Sequence, residues 1–172
     1  LHKNHEILIR TAYKLKKKNI CVKFIMSGSH KEYRNKLHYR NLKNLIQTLK
    51  VQDYFTLLGE VSRKDLLNLM YHSMMIINPS KFEGWSTVVE EAKILNKKVL
   101  LSNIPVHYEQ KNEKCVLFNI NNKSDLCKKI IENINFESKN TSLKILYKDY
   151  LSNRKKFASK YYKILEKNVS KK

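Results

Sequence analysis

Residues 74–102 read MMIINPSKFEGWSTVVEEAKILNKKVLLS, and this stretch decides the fold. Met74–Asn78 is a short apolar run closed by Pro79, the length of a strand. Ser86–Asn96 carries apolar residues at helical spacing, and Lys98–Ser102 reads as another strand. A strand, a helix and a second strand in so short a span require a right-handed crossover, so the two strands run parallel. The alternation continues toward the amino terminus. A helix from Asn4 to Lys18 aligns Leu8, Ala12 and Leu15. A buried strand, Cys21–Ser27, ends at Gly28, and a long basic helix, His30 to Lys50, turns Leu37, Leu42, Leu45, Ile46 and Leu49 toward the core. Tyr54–Leu58 is a short strand ending at Gly59. Ser62, with Asp65 three residues on, starts the helix Lys64–His72 in the manner of a capping box.

On the carboxyl side, a loop runs through Pro105, Val116–Asn119 is a last strand, and Ser124–Ile134 is a helix capped by Ser124. A polar connector, Asn135–Ser142, leads to a terminal helical region over Leu143–Glu166, and Asn168–Lys172 reads as a frayed tail. The fold class is therefore α/β: a Rossmann-like, doubly wound parallel sheet forming one domain over residues 1–172. The three glycines, Gly28, Gly59 and Gly84, each follow a strand on the way to a helix. In open α/β sheets that edge is where ligands sit.

Composition narrows the function classes. At 172 residues and 42% apolar, the chain is long enough to bury a core without staples. No apolar run has the length of a membrane span. Three scattered cysteines, Cys21, Cys115 and Cys127, read as reduced core residues and not as a disulfide frame or zinc site. Lys plus Arg number 35 against 15 acids, a net charge of +20. Such a balance suits nucleic acid or an anionic membrane. Yet the excess comes with abundant Asn, Ile and Tyr, all with A/T-rich codons, so base composition explains it equally well. There is no zinc-finger spacing, no aromatic RNA-binding sheet motif and no repeated basic helix.

The chemistry is concentrated in Asn78–Lys93, where Glu83 is followed after seven residues by Glu91. On a helical wheel Val88, Ala92 and Leu95 form the core stripe, and Glu90, Lys93 and Lys97 form the solvated face. Glu91 falls between Leu95 and Ile94, on the flank of the apolar face, where a carboxylate loses hydration and needs a donor. A ligand hydroxyl would supply one, as would a nearby Lys. Glu83 precedes the helix at the sheet edge, so both carboxylates are placed to border one cleft. Gly84 permits close approach, and the amides and hydroxyls of Ser86 and Thr87 lie at the positive end of the helix dipole, where a pyrophosphate is stabilised. Acid, glycine, hydroxyls and acid in this order suit a nucleotide-sugar.

The runs GEVSRKDLLNLMYHS and NPSKFEGWSTVVEEAKILNKKVLLSNIPVHYEQ, with HKNH at His2–His5, resemble the carboxyl-terminal domain of retaining GT-B glycosyltransferases, the family called group 1 or family 4. The resemblance covers nearly the whole chain, and the two glutamates in a P-S-x-x-E-G…E-A frame are highly specific. It implies that the chain is the donor-binding half of a GT-B enzyme. Glu83 then contacts the donor hexose as the catalytic-site acid, Glu91 contacts the ribose, and Lys3 meets the diphosphate. Gly28, Val61, Gly84, Trp85, Ser86 and Thr87 complete the nucleotide-sugar site, with the nucleotide base against backbone at Gly59–Val61. The implied donor is a GDP- or UDP-sugar, with no metal and no other cofactor. The acceptor is a glycan or a lipid-linked saccharide. The implied setting is polysaccharide biosynthesis in the cytoplasm, with an anionic membrane surface as a candidate partner through Lys31, Arg34, Lys36, Arg40 and Lys43.

The sequence departs from the family in places. Trp85, Ser86, Thr87 and Val88 stand where F-G-L-P is commoner, so Ser86 replaces a glycine. The basic residue before the early Lys, the first strand and the amino-terminal acceptor domain are expected upstream of Leu1. His107 and Glu109 read as loop residues with an alternative role near sugar or acceptor, and His5 as a surface or cleft residue. Tyr147, Tyr150, Phe157, Tyr161 and Tyr162 are expected to pack the terminal helix on a core or on the other domain. The alternatives are a GT-B-fold nucleotide-sugar epimerase, against which the E-G-W-S-T frame argues, and a basic nucleic-acid-binding module, for which no recognition element is visible.

Overall fold

The computed structural model describes residues 2–29, 37–134 and 143–169. Its strands are β1 (Phe24–Ser27), β2 (Phe55–Gly59), β3 (Ile76–Asn78), β4 (Val99–Ser102) and β5 (Cys115–Phe118). Its helices are α1 (His5–Lys17), α2 (His38–Thr48), α3 (Arg63–His72), α4 (Thr87–Ile94), α5 (Pro105–Gln110), α6 (Lys123–Asn133) and α7 (Leu143–Val169). Every described strand pairing is parallel. Instead of one continuous sheet there are two, β1–β2 and β3–β4–β5, because no described strand bonds both β1 and β3.

Helix α1 joins the two sheets. Its buried Ile9, Ala12 and Leu15 share one core with Phe24 and Phe55 of the first sheet and Leu100 and Phe118 of the second. Phe24 and Phe55 lie opposite each other in register and stack with centroids 5.2 Å apart. On the other face of β4, Val99 and Leu101 pack with Met70 of α3 and with Val89 and Ala92 of α4. Alternate residues of β4 thus feed opposite cores, as the two-residue period of a strand dictates. The apolar run VLL is uninterrupted because both faces of a central parallel strand are covered. The fold is the expected Rossmann-like α/β arrangement, with layers on both sides of the β3–β4–β5 sheet.

Several local readings change. The run before α2 over residues 30–36, including Lys31, Arg34 and Lys36, lies outside the described residues, and Leu37 is exposed. In α4 Ala92 is buried and Leu95 packs against the same core, as expected, but Val89 and not Val88 completes the stripe, and Val88 faces outward. Lys97 is not solvated but 2% exposed, its ammonium over the Tyr71 ring. The segment at Pro105 is a helix, with proline at its first turn where the missing N–H costs nothing. Asn122, not Ser124, caps α6, accepting from the amides of Ser124 and Asp125. Cys21 is exposed, while Cys127 is buried. The connector 135–142 and the side chains of Tyr147, Tyr150 and Tyr161 lie outside the described residues. Phe157 and Tyr162 are exposed, so neither packs on this core, and α7 continues through Asn168 to Val169.

Candidate functional site

The loop after β3 is built by short polar side chains. Asn78, the last residue of the strand, accepts from the Ser80 amide and donates through Nδ2 to Ser86 Oγ, 2.8 Å away. It thereby ties both ends of the 79–86 loop to the sheet edge. Ser80 is fully buried and its hydroxyl donates to Glu83 Oε1 at 2.7 Å. Lys3 donates to the same oxygen at 2.7 Å, across 80 residues of sequence. The loop carrying Lys3 is held by a backbone bond from the Lys81 amide to the His2 carbonyl. Partial burial opposes ionisation of Glu83, but the bonds from Lys3 and Ser80 and the Lys3 charge outweigh it, so its carboxyl lies below the ordinary carboxylate range.

Helix α5 braces this loop from behind. His107 is fully buried, with Nδ1 2.8 Å from the Ser102 carbonyl. A carbonyl oxygen only accepts, so the proton is on Nδ1 and Nε2 is the bare nitrogen. Nε2 has no partner. Burial pushes the imidazole below its ordinary pKa, opposed by the Ser102 bond and the Glu83 charge. The Ser102 hydroxyl in turn donates to the Ser80 carbonyl. Three residues beyond His107, Gln110 is 2% exposed and grips the start of α4. Its Oε1 accepts from the Ser86 amide, and its Nε2 donates to the Ser86 carbonyl and to Glu90.

This bracing corrects one expectation. Ser86 is 4% exposed and its amide is committed to Gln110, so the amide is not presented as a phosphate donor; its hydroxyl accepts from Asn78 and keeps its own proton. Thr87 and Trp85 are exposed, Trp85 by 56%. Among the described residues no side chain caps α4, whereas Ser62 and Asn122 cap α3 and α6. A Cβ built on Gly84 would meet nothing within 4 Å, so the space beside it is open. Gly28 has φ +140°, a backbone state that side chains resist, and its amide donates to the Gly59 carbonyl at 2.8 Å.

The second carboxylate has a different environment. Glu91 Oε1 accepts from Arg63 at 2.7 Å, with the Glu91 side chain 13% exposed and Arg63 62% exposed. Glu91 Oε2 is buried and has no partner among the described residues. Arg63 opens α3, directly after the half-buried Val61 and the cap Ser62. Of the residues singled out in the sequence, Lys3 and Glu83 meet directly, and Gly28 meets Gly59. Arg63, Ser80, Ser102 and Gln110 were not singled out. The available signal was a short polar residue at each strand end, Asn78 and Ser102, where an apolar run stops. A cavity of about 330 Å³ lies beside the Lys3 loop, lined by His2, Asn4, His5, Glu6, His38 and Lys81, so His5 faces a cavity and not the core. Among the described residues no three His, Cys, Asp or Glu side chains are placed to hold a metal ion.

A family model described as "Glycosyl transferases group 1" matches residues 1–148. No curated protein matches the sequence. Among solved structures, a glycosyltransferase from Rickettsia africae is 24% identical, with a TM-score of 0.72 over 91% of this chain and 45% of that one. Anabaena HepE in complex with UDP-glucose is 20% identical, with a TM-score of 0.69 over 81% of this chain and 37% of that one. Sucrose-phosphate synthase from Thermosynechococcus elongatus is 16% identical, with a TM-score of 0.67 over 92% of this chain and 43% of that one. The chain thus spans less than half the length of each of these proteins.

Proposed function

The chain belongs to the group 1 glycosyl transferases, and from that premise we propose that it binds the nucleotide-diphospho-sugar donor for retaining transfer of a hexose to a glycan or lipid-linked acceptor. The observation that carries this reading is Glu91. One of its oxygens is held by Arg63 and the other is buried with no partner among the described residues. A buried carboxylate oxygen left bare costs about 1–3 kcal/mol, and a ribose hydroxyl removes that cost. Glu83 lies at the sugar side, beside open space at Gly84. Lys3, half exposed and already paired with Glu83, is the cation that meets the diphosphate. The uncapped first turn of α4, with Thr87 exposed, adds backbone amides to the same charge. The base lies along Gly28 and the Gly59–Val61 loop, and Trp85 offers an exposed ring at the rim.

In a retaining transfer of this kind the acceptor attacks from the face the leaving diphosphate departs, and the departing phosphate takes the proton. The protein's contribution is to stabilise negative charge as it develops on that phosphate. Lys3 and the α4 amides have this role, while the bonds from Ser80 and Lys3 keep Glu83 ionised against a developing positive sugar. The likeness to a fold solved with UDP-glucose supports a UDP-sugar among the two expected donors. No helix among the described residues is long and apolar enough to cross a membrane.

The test is Glu91→Gln, which keeps shape and removes charge. Calorimetric titration with UDP-glucose and GDP-mannose should show affinity for the bound donor reduced by about 1–3 kcal/mol, the range for a lost charged hydrogen bond. Thermal unfolding should hardly change. Unaltered affinity would remove Glu91 from the site.

A further inference from the structure

We propose that Arg63 is a positioning residue for the nucleotide: by fixing one oxygen of Glu91 it makes the other a selective acceptor for a ribose hydroxyl, and so sets the preference for ribonucleotides over deoxyribonucleotides. This rests on the reading that Glu91 meets the ribose.

The backbone at Arg63 is fixed by the cap before it. Ser62 Oγ accepts from the Asp65 amide at 3.1 Å and donates to the Asp65 carboxylate at 2.7 Å. From this anchored first turn of α3 the guanidinium reaches Glu91 on α4, 28 residues away in sequence, with Nη1 2.7 Å from Oε1. The pair is asymmetric. Arg63 stands at the rim, largely in water, while the carboxylate it holds is mostly withdrawn. A glutamate has three rotatable bonds, and without this contact its terminal group is free to pivot toward solvent. With it, Oε1 is tethered and Oε2 is held in a buried position where none of the described residues meets it.

The charge arithmetic selects the missing donor. Arg63 already supplies one positive charge for the one negative charge of Glu91, so the remaining oxygen calls for a neutral hydrogen-bond donor. A hydroxyl is the smallest such group. A vicinal diol places one hydroxyl on Oε2 and lets its neighbour reach the second lone pair of Oε1. A nucleoside differs from its deoxy counterpart by one of these hydroxyls. Sites built to bond a hydroxyl reject the analogue lacking it, because the buried acceptor is then left bare. Without Arg63 the Glu91 carboxylate is free to turn to water, and a pair whose guanidinium is largely solvated adds little to stability, so loss of Arg63 should be read in ligand choice and not in folding.

Calorimetric titrations of UDP and GDP, each beside its 2′-deoxy and 3′-deoxy forms, would be run on the full chain and on Arg63→Met and Arg63→Lys. The wild type should favour a ribonucleotide over at least one of its deoxy forms on the order of tenfold. Arg63→Met should reduce that preference to roughly twofold by weakening the ribonucleotide alone, with unchanged thermal unfolding, and Arg63→Lys should restore part of it. Full preference in Arg63→Met would overturn the proposal. So would equal weakening of ribo and deoxy forms, which would mark Arg63 as a general attractor of phosphate. A wild type that binds nucleotides without preference would remove the ribose from Glu91. One that binds none would overturn the donor-site reading itself, whatever the variants do.

Discussion

Replacing Gln110 with leucine should destabilise the chain by about 2–4 kcal/mol, because the side chain is an internal bracket and not a surface amide. It is 2% exposed and makes three hydrogen bonds: it accepts from the Ser86 amide at 3.2 Å and donates to the Ser86 carbonyl at 3.0 Å and to Glu90 Oε1 at 2.9 Å. Leucine matches the size of glutamine and offers none of these. Glu90 can turn to water, since its side chain is 36% exposed. The Ser86 carbonyl keeps its helical bond from the Glu90 amide. The Ser86 amide has no such recourse, being on a residue 4% exposed. A buried N–H left bare costs about 1–3 kcal/mol, and loss of the second bond adds about 1 kcal/mol. Urea unfolding followed by circular dichroism measures this directly, as a lowered midpoint at unchanged slope. The same variant should bind a donor nucleotide more weakly, since α4 carries Glu91 and loses its restraint at the first turn. A midpoint within experimental error of the wild type would refute the bracket and the role given to α5.

The pH dependence of stability should have two separate components. His107 has its pKa lowered chiefly by burial, so the unfolded chain takes up a proton near 6.5 that the native imidazole refuses. Stability is then full above that value and declines as pH falls through it toward the lower native pKa, and His107→Gln should flatten this limb in pH-resolved urea titrations. Glu83, whose native pKa lies below its unfolded 4.5, contributes stability above that value which is lost as pH falls through the native one; Glu83→Gln should remove this lower component and, by taking away the charge that favours protonated His107, extend the upper one to lower pH. If the +20 charge is used at a membrane, sedimentation with anionic vesicles should exceed that with neutral ones and fall with salt, because each Lys or Arg near such a surface gains about 1 kcal/mol; equal sedimentation with both would return the charge to base composition.

The legible parts of the fold were those with a strong local signal. The run VLLS could only be a covered strand, and the Ser62–Asp65 spacing announced a cap that the structure realises at 3.1 Å. Helix α5 was illegible because six residues give no two turns of periodicity, and Pro105 serves a turn as well as a first helical position. In α4 the consecutive Val88 and Val89 left the phase open, and only packing on Met70 and Val99 decides between them. The separation of the strands into two sheets depends on long-range pairing, which no local pattern carries. At the site, the two glutamates were legible from their frame. Their partners were not, because Lys3 and Arg63 lie 80 and 28 residues from the carboxylates they hold. The Ser86 amide was misread for the same reason: it looked available until Gln110, 24 residues away, was seen to occupy it.

The central claim is that this chain holds the nucleotide end of a sugar donor at the edge built by β3, α4 and the loop after β2. Titration of UDP-glucose into isotope-labelled chain, followed by amide NMR, tests it most directly. Saturable shifts concentrated at Gly84–Thr87, Glu91, Arg63 and Gly59–Val61, with the α1–α6 face unmoved, are the predicted result. Saturable binding whose shifts centre on α1 and α6 instead, or no binding by UDP-glucose, GDP-mannose or their bare nucleotides, would contradict it.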